Sequence, residues 1–253
     1  MNNIKRDVDL LLSILPFEVD WYKARQVEHV EFVGHPLAGE VKARFGREEF
    51  CRRNDLDPGR PIISFLPGSR IKELQRILPP MIDAIAQLQT SRPDVQTVVV
   101  VAPSRTVAEV REITATDVKL IEGQTREALR ASDAAAIASG TATLEAALLE
   151  TPMVVVYKES PLNWHTLGRL ITVPHFGLVN LVARREIAKE LMQDDLTSEN
   201  LVRELFKLLE PDVNKQMRES LRDVSLELGA PGASQRAAAV IVQFLTGLHD
   251  VTR

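Results

Sequence analysis

Residues 63–70 read ISFLPGSR. An apolar run passes straight into Pro67, Gly68, Ser69 and Arg70. A plain turn accounts for the proline and the glycine but does not need the arginine. Runs of this kind, without alternation of apolar and polar residues and bounded by turn formers, read as strands buried on both faces. Four more share the character: TVVVVAP (97–103), VKLIEG (118–123), AAAIASG (134–140) and MVVVYKE (153–159). Between them lie stretches with helical spacing. The first is ILPPMIDAIAQLQT (77–90), whose Pro79 and Pro80 are expected near a helix start; TVAEVREI, TREALRAS and TATLEAALLE follow. Alternating strand and helix predicts an α/β fold, a Rossmann-like parallel sheet flanked by helices. Its expected span is residues 58–195.

The flanks read differently. Within residues 7–41, LLLSILPF and VEFVGHP are strand-like pieces on either side of a short helix. From Thr197 onward the pattern is helical: LVRELFKLLE, NKQMRESLRDVSLEL and SQRAAAVIVQFLTGL. LGAPGAS (228–234) separates the last two, with Ser234 as the expected N-cap. The expected segments are therefore 1–57, 58–195 and a helical tail over 196–253.

Composition narrows the function classes. A chain of 253 residues that is 45% hydrophobic and 26% charged has the make-up of a soluble globular protein. A net charge of −4 gives no general attraction to nucleic acid. Cys51 is the only cysteine, which excludes a disulfide framework and a cysteine-rich metal site. Beside Arg52 and Arg53 it reads as a helix-surface residue. The five histidines form no HExxH pair, so no metal is expected. No apolar run is long enough to span a bilayer. The N-terminal MNNIKRDVDLLLSILPF carries Asp7 and Asp9 and lacks a small-residue cleavage site, so it reads as structure and not as a targeting segment.

Two turns carry the chemistry. In an open α/β sheet, ligands collect at the carboxyl ends of strands. Small residues at Gly68-Ser69 let backbone N–H groups approach a phosphate, the following helix start favours an anion, and Arg70 adds a forked cation. The competing reading is a strand-to-helix turn in which Arg70 pairs with Glu73. Ser139-Gly140-Thr141-Ala142-Thr143-Leu144-Glu145 also joins a strand to a helix. Here backbone amides and hydroxyls suit a pyrophosphate, and the Glu145 carboxylate can accept from two vicinal ribose hydroxyls; the competing reading is a capping box, with Ser139 or Thr141 as cap. The two turns together suggest a nucleotide with two phosphates. Neither matches a Walker loop or GxGxxG, so ATPase and dinucleotide readings fall away. Gly123 and Gln124 form a turn before the helix of Arg126 and Glu127, where Arg126 also reads as a solvated residue. Asp133 also reads as a helix terminator. Asn180, in an apolar run, needs a partner, either backbone or ligand.

With these residues in place the sequence resembles the lipid-A-disaccharide synthases. The matching pieces are ILPFE (14–18), FVGHPL (32–37), LPGSR (66–70) followed by Glu73, SDAAAIASGTATLE (132–145), PMVVVYK (152–158), and GLVNLVARRE (177–186) with ELMQ (190–193). The resemblance implies the C-terminal half of a GT-B fold, two Rossmann-like domains facing across a cleft. It implies inverting transfer of 2,3-diacylglucosamine from UDP-2,3-diacylglucosamine to the 6-hydroxyl of 2,3-diacylglucosamine 1-phosphate. No metal or cofactor is implied. The implied location is cytoplasmic, peripheral on the inner face of the cytoplasmic membrane, with a homodimer formed through C-terminal helices.

Carried over by position, Gly68, Ser69 and Arg70 hold the diphosphate, and Arg70 stabilises the leaving group. Ser139, Gly140, Thr141 and Thr143 act from the opposite turn, Glu145 binds ribose, Gly123 borders uracil, and Asn180, Glu190 and Gln193 face the cleft. The family's AGRE stands here as Ala183-Arg184-Arg185-Glu186, and its proline before ELMQ as Lys189. In the family an N-terminal domain supplies the acceptor side and the general base. The expectation is a truncated chain holding the UDP half, with residues 1–57 as remnant and linker, no general base of its own, and a structural His35 at the hinge. Rival expectations are a UDP-GlcNAc 2-epimerase, the peptidoglycan GlcNAc transferase or a non-catalytic UDP-binding remnant. SPLNWHTLGRLI (160–171) suits an interfacial helix or an ordinary packed one.

Overall fold

The computed structural model describes residues 1–114, 117–160 and 175–251, with side chains described to residue 247. The 161–171 part of the interfacial-helix reading lies outside the described residues. The central sheet holds six parallel strands: β3 (Ile62–Leu66), β4 (Gln96–Val101), β5 (Leu120–Glu122), β6 (Ala134–Ala138), β7 (Met153–Tyr157) and β8 (Glu190–Met192). β1 (Leu11–Ser13) and β2 (Val30–Phe32) pair in parallel as a separate two-stranded sheet around α2 (Pro16–Lys23), after a short α1 (Asn2–Asp7). The order of the large sheet is β5-β4-β3-β6-β7-β8. Every residue of β3 and of β6 is buried, as their unbroken apolar runs require. The sixth strand, β8, was not expected: ELM lies in no apolar run of the kind that marks the other five.

The helices between strands are α4 (Ile71–Ser91), α5 (Val107–Ile113), α6 (Thr125–Ala131) and α7 (Ala142–Leu148). α4 corrects one expectation. It starts at Ile71, so Pro79 and Pro80 lie inside it and not near its start. The missing proline N–H groups deprive the Gln75 and Arg76 carbonyls of their helical donors. Pro79 lies on the exposed side, where water can serve instead. A second correction concerns Cys51 on α3 (Arg47–Arg53). With Phe50 it is fully buried in the core, and burial pushes its thiol pKa up.

The later helices complete the core and cross back over the front. α8 (Leu178–Ala183) precedes β8. α9 (Ser198–Leu208) and α10 (Pro211–Glu227) bury Leu201, Leu205, Leu221 and Val224 with the sheet. α11 (Ala233–Val251) starts one residue before Ser234, which therefore sits in the first turn and not at the cap. α11 runs beside β1 and β2, where Val240 and Phe244 share a cleft with Leu10 and Glu31.

The two chain crossings between front and core meet at Arg236. Its Nε donates to Val33 O at 2.8 Å, Nη1 to Pro231 O at 2.8 Å and Nη2 to Ala230 O at 2.6 Å. Gly34, at φ +87°, is where that guanidinium passes: a Cβ there would lie 2.3 Å from Arg236 Nη2. His35 is buried at the same crossing; its backbone N–H donates to Leu228 O, and its Nδ1 accepts from Leu37 N at 3.1 Å. Among the described residues no helix is long and apolar enough to cross a membrane.

Arg184 caps α8 in the left-handed region, at φ 54°, and its Nη2 donates to Asp20 Oδ2 of α2 at 2.9 Å. That conformation costs a side-chain-bearing residue about 1–2 kcal/mol. An exposed ion pair returns about 0–1 kcal/mol. Arg184→Gly is therefore expected to stabilise the protein by up to about 1 kcal/mol, and Arg184→Ala, which keeps the strain without the pair, to destabilise it. Urea unfolding midpoints of the three proteins check the ordering.

Candidate functional site

β3 and β6 are far apart in the chain but hydrogen-bonded neighbours in the sheet, with Leu66 opposite Ile137. The chain leaves β3 toward β4 on one side and β6 toward β7 on the other. This is the point where strand order reverses, and a crevice opens outside the carboxyl ends of the strands. Here it is a cavity of about 380 Å³. One wall is Gly68, Ser69, Arg70 and Glu73. The other is Ser139, Gly140, Thr141, Ala142 and Glu145, and Pro103 and Thr125 close one end.

The first loop is held by its own carboxylate. Glu73 Oε2 accepts from Ser69 N and Arg70 N, each at 3.2 Å, and Oε1 accepts from Arg70 Nη1 at 3.1 Å. Glu73 thus supplies one half of a capping box, the carboxylate that accepts from the N-cap backbone, while an arginine at the cap has no acceptor to return the bond. Gly68, at φ +106°, admits it: a Cβ there would stand 2.6 Å from Glu73 Oε2. The pairing of Arg70 with Glu73 is thus present, and the arginine side chain still remains 82% exposed at the cavity.

The second loop is built the opposite way. Neither Ser139 nor Thr141 caps α7; Ser139 Oγ donates to Phe176 O at 2.8 Å. Thr143 is fully buried beneath the loop, and its Oγ1 donates to Gly140 O at 2.8 Å. The N–H groups of Gly140, Thr141 and Ala142 have no acceptor among the described residues. Glu145, in the first turn, stands 3.4 Å from Arg126 Nη2, whose Nη1 donates to Glu40 O. Arg126 therefore bridges two segments and is no simple solvated residue.

A second cavity of about 480 Å³ adjoins the first, sharing Pro103, Thr125 and Glu145 with it. Gly123, at φ +69°, lies here with Lys42, Arg44 and Glu127. Arg44 Nη2 donates to Gly123 O at 2.7 Å, and Arg44 N and Nε both donate to Glu127 Oε1 at 2.8 Å. Burial of Glu127 pushes its pKa up, but the hydrogen bonds and charge of Arg44 outweigh it and hold the carboxyl below its ordinary value.

Asn180, Glu190 and Gln193 are outside the lining of both cavities: Asn180 lies on α8, Glu190 begins β8 and Gln193 follows it. Asn180 is fully buried and its amide is used by protein. Nδ2 donates to Ala188 O and Glu190 Oε1, each at 2.7 Å, and Oδ1 accepts from Ile187 N and Ala188 N, each at 2.9 Å. Glu190 also accepts from Phe176 N and Gly177 N, each at 2.9 Å. Gln193 meets the backbone N–H of Glu159.

Sequence reasoning missed Lys42, Arg44 and Thr125. The first two sit in a linker without a motif, and only the path of that linker brings them here. Asp133 does more than end a helix: its Oδ2 accepts from Ile62 N at 2.8 Å and pairs with Arg47 at 2.9 Å. A cavity of about 430 Å³ beside Asp133 opens at the amino ends of the strands, away from the switch point. Among the described residues no group of three or more His, Cys, Asp and Glu is placed to hold a metal ion.

A doubly wound sheet with this crevice, and an N-terminal strand pair tied back by a C-terminal helix, is the C-terminal half of a GT-B fold. Solved structures share it. The putative UDP-N-acetylglucosamine 2-epimerase from Listeria monocytogenes matches with TM-score 0.62 at 18% identity, over 94% of this chain and 60% of its own. WaaG, a glycosyltransferase involved in lipopolysaccharide biosynthesis, matches with TM-score 0.56 at 16% identity, over 91% and 62%. Sequence relatives are nearer. The lipid-A-disaccharide synthase of Geobacter sulfurreducens is 36% identical over 97% of this chain, and that of Anaeromyxobacter dehalogenans is 41% identical over 94%. Residues 1–244 match the profile of lipid-A-disaccharide synthetases, and the chain belongs to that family. It spans 65% and 63% of the length of those two relatives.

Because Arg44 holds the Glu127 pKa down, their pairing contributes stability above the ordinary carboxylate pKa. That contribution is lost as pH falls through the lower folded value. Arg44→Met is expected to destabilise the protein at pH 7, where it leaves the buried Glu127 carboxylate with the backbone N–H of residue 44 but without the guanidinium. The deficit should shrink steadily toward acid as Glu127 protonates. Urea melts of both proteins from neutral pH down through the carboxylate range check this.

Proposed function

We propose that this chain supplies the donor side of a lipid-A-disaccharide synthase, binding the UDP portion of UDP-2,3-diacylglucosamine in the crevice between β3 and β6. The observation that carries the reading is the pairing of two unlike loops across one cavity. One presents Arg70; the other presents three N–H groups without protein acceptors, with Glu145 a turn further on. Cation and amides together suit a diphosphate, and the carboxylate suits ribose hydroxyls. Gly68 and Ser69 shape the first loop, Ser139, Gly140, Thr141 and Thr143 the second, and Gly123 borders the base. Asn180, Glu190 and Gln193 brace the far side of the cleft.

In the proposed reaction the acceptor 6-hydroxyl attacks the anomeric carbon as the bond to the UDP oxygen breaks, with inversion. The acceptor proton passes to a base outside this cavity. Negative charge grows on the departing diphosphate, where Arg70 stabilises it. The donor domain spans residues 58–195 in this proposal, with 1–57 as linker side and 196–253 as tail. Acylated substrates place the protein peripherally on the inner face of the cytoplasmic membrane, and the C-terminal helices are the proposed homodimer contact.

Calorimetric titration of UDP into the chain is expected to show saturable binding. Arg70→Ala should weaken it roughly tenfold to a hundredfold, the worth of a charge-assisted hydrogen bond. Unchanged affinity in a folded Arg70→Ala protein would reduce Arg70 to a capping partner of Glu73.

A further inference from the structure

The crevice does not end at Glu145. Pro103, Thr125 and Glu145 belong to both cavities, so the two form one trough with the phosphate loops at one end and Lys42, Arg44 and Gly123 at the other. At that far end two acceptors are engaged. Gly123 O accepts from Arg44 Nη2, and Glu127 Oε1 accepts from Arg44 N and Nε. The Nε and Nη2 groups of Arg44 are engaged in the same contacts. Lys42 is different: it lines the trough, is exposed, and its ammonium has no partner among the described residues. An ammonium offers donors and no acceptor.

We infer that Lys42 selects the base of the nucleotide, by donating to a ring carbonyl at the end of the trough and opposing an amino group with its own N–H donors. The inference rests on the proposed nucleoside diphosphate reading and deepens it. If phosphates lie between the two loops and ribose at Glu145, the base falls beyond Glu145, against Pro103 and within reach of the linker. Uracil presents a carbonyl at position 4. Cytosine presents an amino group there, which would face a donor with its own hydrogens unpaired. A site built to satisfy one pattern rejects the other through the groups it leaves unpaired. Lys42 sits in the linker between front and core, so the segment joining the two units also reads the ligand.

The test is calorimetry on the full 253-residue chain at one fixed salt concentration, with UDP, CDP and inorganic pyrophosphate as probes and Lys42→Met and Lys42→Arg as variants. Lys42 is exposed, so neither variant threatens the fold. The wild type is expected to bind UDP about tenfold tighter than CDP, and Lys42→Met to weaken UDP by about five- to tenfold. CDP and pyrophosphate should change by less than about twofold, and Lys42→Arg, which keeps a donor, should retain most of the preference. Equal weakening of all three probes would make Lys42 a general attractor of anions and overturn the inference, as would unchanged UDP affinity in Lys42→Met; both leave the proposed function standing. A wild type that binds pyrophosphate but neither nucleotide, or none of the probes, overturns the proposed function and this inference together.

Discussion

The site depends on one pairing, that of β3 with β6. Ile63 to Leu66 lie opposite Ala134 to Ile137 in parallel register, and both strands are wholly buried. Because the strands run the same way and end level, LPGSR and SGTATLE emerge side by side. A one-residue slip would turn every side chain of a strand to the other face. With both faces buried, it would also break the packing against α4 and α7 together. The small residues of β6, AAAIA, let helices approach the sheet closely at the place where the crevice needs a firm floor.

Around that pairing, polar side chains act as scaffold. Glu73 closes the β3–α4 loop on itself, Asn180 and Glu190 hold the loop before α8, and Thr143 and Ser139 tie the β6–α7 loop from below and from the side. Each spends its hydrogen-bonding capacity inside the protein, because a buried polar group left unpaired costs more than a satisfied one returns. What remains unspent is the informative part: the amides of Gly140, Thr141 and Ala142, the exposed fork of Arg70 and the ammonium of Lys42. These face the same trough.

The front of the chain is bound to the core through apolar contact, with Leu15, Phe17 and Leu37 packed against it, and through polar ties. Arg236 takes three carbonyls from the two crossings, and Gly34 gives it room. The groups that meet there belong to loops, and the apolar core lies elsewhere. The linker that follows, from Ala38 to Gly46, delivers Lys42 and Arg44 to the far end of the trough.

Much of this was legible in the sequence. The unbroken apolar runs of β3, β4, β6 and β7 announced a parallel sheet, since only strands covered on both faces dispense with alternation. The turns after β3 and β6 announced their own composition of glycine, hydroxyl and charge. Local pattern could not tell which turn is closed from within: the cap bond weighed at 139–145 is not formed, and Glu73 instead accepts from the backbone of Ser69 and Arg70. Nor could it find β8, which lies in no apolar run, or the burial of Cys51, which depends on the face α3 turns to the core. By itself the sequence determined the class of fold and the chemistry of each loop, because both are local properties of spacing and residue type. The strand order that makes β3 and β6 neighbours, and the linker path that brings Lys42 and Arg44 to Gly123 and Glu127, were decided only in three dimensions. Those contacts join residues up to 83 positions apart, and no local rule reaches across such a distance.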